Sequence, residues 1–164
     1  MLTEGLQKAI ENLFIKDVAF DLINASKFGK EFNFVEGNFH IQQKFGLKSL
    51  EVKELDDQRM AHFTFEAGVR WISDENSHDD GSDELSDKEL DIIAHVECTI
   101  TAIYALKIEL DKEALDEFGM KNSGIHVWPY WREFLTTSCD RLRLPRVMLP
   151  MTQFQAVPEQ KDED

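Results

Sequence analysis

The sequence has 164 residues, of which 42% are apolar and 30% charged, and twelve phenylalanines with three tryptophans supply material for one folded core. A chain of this length buries about two thirds of its unfolded surface, so it needs neither disulfides nor a structural metal. Thirty-two acidic against 18 basic side chains give a formal net charge of -14, which argues against nucleic acid and anionic membrane surfaces as primary partners.

No N-terminal stretch pairs a basic flank with an apolar run of signal length, and no apolar run reaches the length of a membrane span. We therefore expect a cytoplasmic protein without membrane insertion. The two cysteines, Cys98 and Cys139, belong to no metal or redox motif, so reduced, buried thiols are expected.

Four segments alternate between apolar and polar residues with the period of a β-strand. Interrupted alternation predicts the first two strands, with apolar positions Ile10, Phe14, Val18 and Phe20 in one and Phe39, Ile41, Phe45 and Leu47 in the other. Regular alternation predicts the third strand at Phe63, Phe65, Ala67, Val69 and Trp71, and the fourth at Ile92, Ala94, Val96, Cys98, Ile100 and Ala102.

Two connections between these strands have unusual compositions. The first carries Phe28, Phe32 and Phe34, which would either line an apolar groove beside an open sheet edge or pack as core beneath a long connection. The second, residues 74–89, holds eight acids and the single base Lys88, and this composition predicts a mobile loop. An alternative for the second is a divalent-cation site formed by His78, Asp79, Asp80, Asp83 and Glu84, although their spacing matches no EF-hand.

Helical patterns come late in the chain. Asp111 would cap a short helix that stops at Gly119. A longer helix would take Pro129 in its first turn and end before Pro145; its apolar stripe is Trp131, Phe134, Leu135, Ser138 and Leu142. Strands followed by helices predict an α+β fold, a four-stranded antiparallel sheet with C-terminal helices on one face. We expect one domain over residues 1–156 and a disordered acidic tail over 157–164.

No catalytic signature is found, so the sequence predicts neither an enzyme nor a cofactor. His95 and Cys98 resemble a metal-ligand pair, but their odd separation on a strand points them to opposite faces. Ser138, Cys139 and Asp140 are consecutive on a helix and project in different directions, which excludes a nucleophile and base among them.

Three blocks, in order, resemble the SecB protein-export chaperone family. Lys16–Asp21 is similar to the first strand of that family, and Trp128–Glu133 to the start of its main helix. The third block runs from Arg141 through Pro145 and Pro150 to Phe154 and is similar to the proline-bearing segment after that helix. Order and spacing agree over residues 8–156.

The resemblance implies an ATP-independent chaperone that holds unfolded polypeptides, including preproteins for export, and assembles as a homotetramer, a dimer of dimers. Its client groove is expected at Phe28, Phe32, Phe34, Phe39, Ile41 and Phe45. Docking of a SecA-like export motor is expected at Asp17, Asp21 and Glu97, and subunit contacts at Tyr130, Trp131 and Phe134.

Three departures from the family pattern favour a specialised relative. His95 replaces an apolar residue at the docking surface, the acidic residues 74–89 replace a tight turn, and Pro158 precedes a charged tail. The alternative to a general chaperone is therefore a dedicated binding module for one partner, such as an antitoxin.

Overall fold

A computed structural model describes residues 1–28, 31–75 and 91–151 of the chain. Most of the predicted acidic loop, the candidate cation ligands at 78–84 and the predicted tail at 157–164 lie outside these residues. At the start of that loop, the backbone N–H of Asp74 donates to the Asn38 carbonyl at 2.9 Å, and its carboxylate lies 2.6 Å from His40.

The core of the fold is one antiparallel sheet of four long strands. They are β1 Leu13–Lys27, β2 Phe39–Leu55, β3 Gln58–Ser73 and β4 Ile92–Leu106. Their order across the sheet is β1-β4-β3-β2, so β1 and β2 are its edges. A two-residue turn joins β2 to β3, with Asp56 and Asp57 at positive φ angles of 51° and 61°, which suits a tight hairpin.

Strand alternation gives the sheet an apolar inner face and a polar outer face. The regular alternation predicted for β3 and β4 is confirmed. Their inner-face side chains pair in register, Phe63 with Ala102 and Phe65 with Ile100, and are buried. The outer face carries His62, Thr64, Glu66, Arg70, His95, Glu97, Thr99 and Thr101.

Helices cover the inner face, which confirms the predicted α+β architecture. After β4 the chain forms α2 Lys112–Phe118, a π-helical turn Gly119–Ser123 and α3 Gly124–Leu142, which crosses β4, β1 and β3. An additional helix, α1 Glu4–Asn12, precedes the sheet and packs on α2. Among the residues that the structure describes, none of these helices is long and apolar enough to cross a membrane.

The first strand starts later than the sequence pattern predicted, because Ile10 belongs to α1. The Thr3 side chain accepts a hydrogen bond from the Leu6 N–H at 3.1 Å and caps the helix. Leu6 and Ala9 are buried at helical spacing. The strand-like spacing from Ile10 to Phe14 therefore spans a helix end and a strand start.

For the late helices, the predicted end of the short helix at Gly119 is confirmed, and the predicted place of Pro129 was wrong. The helix α2 ends at Phe118 with Gly119 as its C-cap, but Gly119 keeps right-handed helical angles, φ −55° and ψ −48°, so the chain continues directly into the π-helical turn. Pro129 is the sixth residue of α3 and lies outside its first turn. The helix ends at Leu142 because Arg143 takes the left-handed conformation, φ 54°, two residues before Pro145.

Candidate functional site

An apolar groove of about 520 Å³ opens between the sheet edge at β2 and the N-terminal half of α3. The sheet contributes Phe45, Gly46, Leu47 and Phe65 to its lining. The helical side and the chain beyond it contribute Met120, Lys121, Gly124, Ile125, Trp128, Pro129 and Met151.

Three aromatic rings form the floor of the groove. Phe45 stacks on Phe65 with ring centroids 5.3 Å apart and meets Trp128 edge to face at 4.9 Å. Such pairs hold one another in defined orientations. Gly124 leaves room above them, since a Cβ there would lie 3.6 Å from the Phe65 ring.

The π-helical turn builds one rim of the groove. It carries Met120, whose side chain is exposed, and Lys121, whose ammonium group lies 2.6 Å from Glu117. The Ser123 hydroxyl donates to the Gly119 carbonyl at 2.8 Å inside this turn. The turn therefore presents a methionine and an ion-paired lysine at the groove.

A C-terminal segment, residues 143–151, forms the opposite rim. Leu144 is buried, and its N–H donates to the Cys139 carbonyl at 2.9 Å. The Trp128 indole N–H donates to the Pro150 carbonyl at 2.9 Å, and the Arg132 guanidinium contacts the Met151 sulfur at 3.8 Å. The segment thus runs back along α3 and reaches the groove at Met151.

The structure separates the six residues predicted to form the client groove. Phe45 lines it. Phe32, Phe34 and Phe39 form their own cluster of perpendicular rings, with centroids 5.1 to 6.2 Å apart.

The remaining two lie apart from that groove. Ile41 pairs in register with Trp71 on the inner face, and Phe28 packs on His95 at 5.0 Å, on the outer face. Only Phe45 of the predicted set therefore contributes to the 520 Å³ groove.

Sequence reasoning missed several lining residues. The sequence predicted Leu47 only as a strand residue, and Trp128 only as part of the block that resembles the SecB family. Met120 and Lys121 follow Gly119, where a helix end was expected, so no pattern indicated their position. The hydrogen bond from Trp128 to Pro150, which forms the rim, joins positions 22 residues apart, and the sequence alone does not indicate it.

The three residues predicted to dock a motor ATPase lie on the outer face. Asp17 is opposite Ile103, and Asp21 accepts a hydrogen bond from Thr101, so both share that face. The Thr101 hydroxyl also lies 2.8 Å from that of Thr64. Glu97 is half-buried and pairs with Arg70 at 3.1 Å.

A polar depression on this outer face surrounds Asp21. His62 lies in it with Glu51 and Lys53. Burial lowers the pKa of His62 and Lys53 lowers it further, while Glu51 and Asp21 act in the opposite direction. Lys53 therefore partly balances the negative charge of Asp21 and Glu51, so the depression carries charges of both signs.

The predicted subunit-contact residues on α3 differ in exposure. Tyr130 is 45% exposed, whereas Trp131 is 1% exposed and belongs to the chain's own core. Phe134 is half-buried and packs on Phe20 at 5.3 Å. A partner would therefore contact Tyr130 directly, and Trp131 would only support the helix beneath it.

The described residues contain no cluster of three or more metal-ligating side chains. His95 and Cys98 face opposite sides of the sheet, as the parity of their separation predicted. Both cysteines are buried and free, and burial raises the pKa of each thiol, to about 12 for Cys98.

The Tyr104 hydroxyl lies 2.7 Å from His126 Nδ1. Burial raises the pKa of Tyr104, which disfavours its ionised form. Tyr104 therefore joins β4 to α3 through its un-ionised hydroxyl.

No protein-family model matches the sequence, and no curated protein matches it significantly. Among solved structures, the Mycobacterium tuberculosis Rv1957 SecB-like chaperone, in complex with a ChAD peptide from the Rv1956 HigA1 antitoxin, superposes with a TM-score of 0.71. The alignment covers 94% of this chain and 100% of that chain at 12% identity. Four antiparallel strands followed by helices on one face, over nearly the whole length of both chains, give this protein the fold of a SecB-like chaperone.

Proposed function

We propose that this protein is an ATP-independent chaperone that holds unfolded polypeptides, and that the groove at Phe45, Phe65, Ile125 and Trp128 receives their apolar side chains. The observation that carries the proposal is the groove itself. Its volume of about 520 Å³ lies within the range of about 300–1,000 Å³ that is usual for ligand sites. It is open and lined mainly by apolar groups.

The lining favours clients of many sequences. Burial of apolar area contributes about 25 cal/mol per Å² without directional demands. Among the described lining residues Lys121 is the charged one, and its ammonium group is already paired with Glu117. A groove with so few directional contacts would select the nonnative state and tolerate different sequences.

Edge strand β2 offers a second means of holding an extended chain. Within the described residues it pairs with β3 on one side, and Phe45 to Leu47 form part of the groove wall. An extended client beside β2 would add backbone hydrogen bonds to the burial of its side chains. These bonds depend little on client sequence.

Assembly as a dimer of dimers belongs to the same proposal, because several weak grooves on one particle bind a long client more tightly than one. Export of preproteins in the cytoplasm, with an export motor docked at Asp17, Asp21 and Glu97, stays a prediction. The pairing of Asp21 with Thr101 and of Glu97 with Arg70 means that docking would compete with contacts inside the chain.

A second candidate function is a dedicated binding module for one partner, such as an antitoxin. It is supported by the solved neighbour, which holds a peptide from an antitoxin. The two candidate functions differ in the range of polypeptides that the protein would bind. A dedicated module would bind one protein or peptide and leave unrelated unfolded proteins to aggregate.

Ile125→Asp tests the groove. Ile125 lines it and is 39% exposed, so the variant should fold while placing a charge among apolar groups. Loss of one buried aliphatic contact weakens binding of carboxymethylated lactalbumin, a permanently unfolded client, by about tenfold or more. Fluorescence anisotropy of the labelled client measures the dissociation constant, without nucleotide.

Ile108→Asp is the matched control, because Ile108 is 41% exposed and lies outside the groove. It should bind the client as the unmodified protein does. Equal weakening by both substitutions would reject the groove as the client site. If the unmodified protein does not bind this client, the general chaperone proposal fails and the dedicated module remains.

A further inference from the structure

One rim of the groove is formed by the chain's own C-terminal segment, residues 143–151. Pro150 is held by the Trp128 indole, and Met151, the last described residue, lines the groove while remaining 77% exposed. The sequence beyond it continues with Thr152, Gln153 and Phe154. The chain is therefore delivered to the groove mouth with a large aromatic residue three positions later.

We propose that Phe154 occupies this groove in the client-free protein, so that the C-terminal segment is an intramolecular competitor of clients. Three extended residues span about 10 Å, which allows Phe154 to reach the aromatic floor from Met151. The floor rings of Phe45, Phe65 and Trp128 accept another ring edge to face or offset. That clients are displaced by the segment rests on the function proposed above.

Because Phe154 is linked through the chain to the groove rim, it competes for the groove more strongly than a free peptide would. The segment is anchored at the rim by the Trp128 to Pro150 hydrogen bond and the Arg132 to Met151 contact. A short tether gives an effective concentration on the order of 1 mM, so even an intrinsic dissociation constant of about 0.1 mM would fill the groove about nine tenths of the time. Apparent client affinity would fall about tenfold.

Composition favours Phe154 over its neighbours as the inserting residue. Gln153 and Gln155 flank it, and Ala156 and Val157 are the next apolar residues before Pro158 and the charged stretch that follows. A glutamine in the groove would leave its amide without partners, which is unfavourable. Phe154 is the nearest large apolar side chain that the segment can supply.

A photo-crosslinking experiment tests the occupancy without any client. The full chain carries p-benzoylphenylalanine in place of Phe154, is irradiated, digested and mapped by mass spectrometry. We expect crosslinks within one chain to Met120, Ile125 or Phe45, and their loss when an unfolded client is in excess. The same photo-residue in place of Asp162 is the control and should not label the groove.

Crosslinks that join two chains, seen as a doubled mass on a denaturing gel, would overturn the intramolecular assignment. Absence of groove crosslinks would overturn the occupancy, whether or not the protein binds clients. Groove crosslinks in a protein that binds no unfolded client would uphold the occupancy and reject the chaperone proposal instead.

Phe154→Ser tests the competition. This variant should bind carboxymethylated lactalbumin about tenfold more tightly than the unmodified chain, and Gln153→Ser should leave the affinity unchanged. Equal affinity of Phe154→Ser and the unmodified chain would contradict competition by the segment.

Discussion

Trp128 joins two parts of the candidate site through one side chain. Its ring packs edge to face on Phe45 within the groove, and its indole N–H holds the Pro150 carbonyl at the rim. Ring packing and rim position are therefore coupled at a single residue. A substitution that keeps an aromatic ring and removes the donor separates the two roles.

Trp128→Phe should loosen the C-terminal segment without unfolding the chain. It removes one hydrogen bond to an exposed residue, worth about 1 kcal/mol, and preserves an aromatic ring beside Phe45. We expect faster hydrogen exchange of the amides at 147–149 and 151, measured by mass spectrometry. Tyr130→Phe, which removes a polar group from the exposed Tyr130, is the control; equal effects would argue against the Pro150 contact.

The two cysteines should resist thiol reagents in the folded protein. Both are buried, and burial raises the pKa of Cys98 to about 12 and that of Cys139 above its usual range. The thiolate is the form that reacts, and the raised pKa values make it scarce at pH 8. Titration with dithionitrobenzoate should detect both thiols only after denaturant is added.

Ser49→Cys provides the positive control for that titration, because Ser49 is exposed on the outer face. It should add one thiol that reacts at once. Rapid reaction of the unmodified protein without denaturant would show that the core around Cys98 or Cys139 opens readily.

At the scale of elements, the joint between α2 and α3 is packed more tightly than its sequence suggests. A Cβ on Gly119 would lie 2.9 Å from both Leu47 Cδ2 and Phe63 Cδ1. Gly119 is helical, so its role is close approach of the π-helical turn to β2 and β3. The turn that carries Met120 and Lys121 is thereby fixed against the sheet.

Gly119→Ala should destabilise the protein by about 1–2 kcal/mol, because overpacking exceeds the gain in helix propensity of about 1 kcal/mol. Gly124→Ala is a matched control. Gly124 is also helical, and its Cβ would meet the Phe65 ring at an ordinary 3.6 Å, so we expect stabilisation of up to about 1 kcal/mol. Urea unfolding measures both; shifts of the same sign would contradict this account.

How well each element could be predicted follows from its burial. Strands β3 and β4 are central, and one face of each is buried, so Phe63 and Val96 belong to an uninterrupted alternation. Edge strands β1 and β2 have exposed apolar residues and register shifts, which blur the same pattern. At Gly119 the sequence correctly predicted the end of α2, but not the right-handed backbone that continues into the π-helical turn, because a glycine suits close packing as well as a left-handed cap.

The groove could be predicted only in part because its residues come from distant parts of the chain. Phe45 lies on β2, Trp128 on α3 and Met151 in the C-terminal segment, and the topology alone brings them together. Phe32 and Phe34 had the right composition for a groove but pack on Phe39. Aromatic density therefore indicated an apolar cluster, and only the fold shows that Phe32 and Phe34 lie apart from the groove at Phe45.

Over the whole molecule, polar side chains and exposed apolar side chains lie on different parts of the surface. The outer face of β3 and β4 is polar, the groove opens on the inner side, and the edge strand β1 exposes apolar side chains on both faces. These are Phe14, Ile15, Leu22 and Ile23, next to two register shifts. A long edge strand with exposed apolar groups is a liability unless another chain covers it.

We therefore expect that β1 contributes to assembly and that Ile23→Lys weakens it. Ile23 is 60% exposed, so a lysine is tolerated in the single chain but places a charge in an apolar contact. Multi-angle light scattering should give about four times the chain mass for the unmodified protein and a smaller species for the variant. The free energy of unfolding, measured with urea at a low protein concentration, should differ little between the variant and the unmodified protein.

Val35→Lys is the control for that experiment, because Val35 is 93% exposed and lies in the connection between β1 and β2. It should keep the mass of the unmodified protein, which separates the effect of an edge charge from that of an added charge anywhere. A mass equal to one chain for the unmodified protein at every concentration would reject assembly itself. Retention of the full assembly by Ile23→Lys would move the contact from β1 toward the exposed Tyr130 on α3.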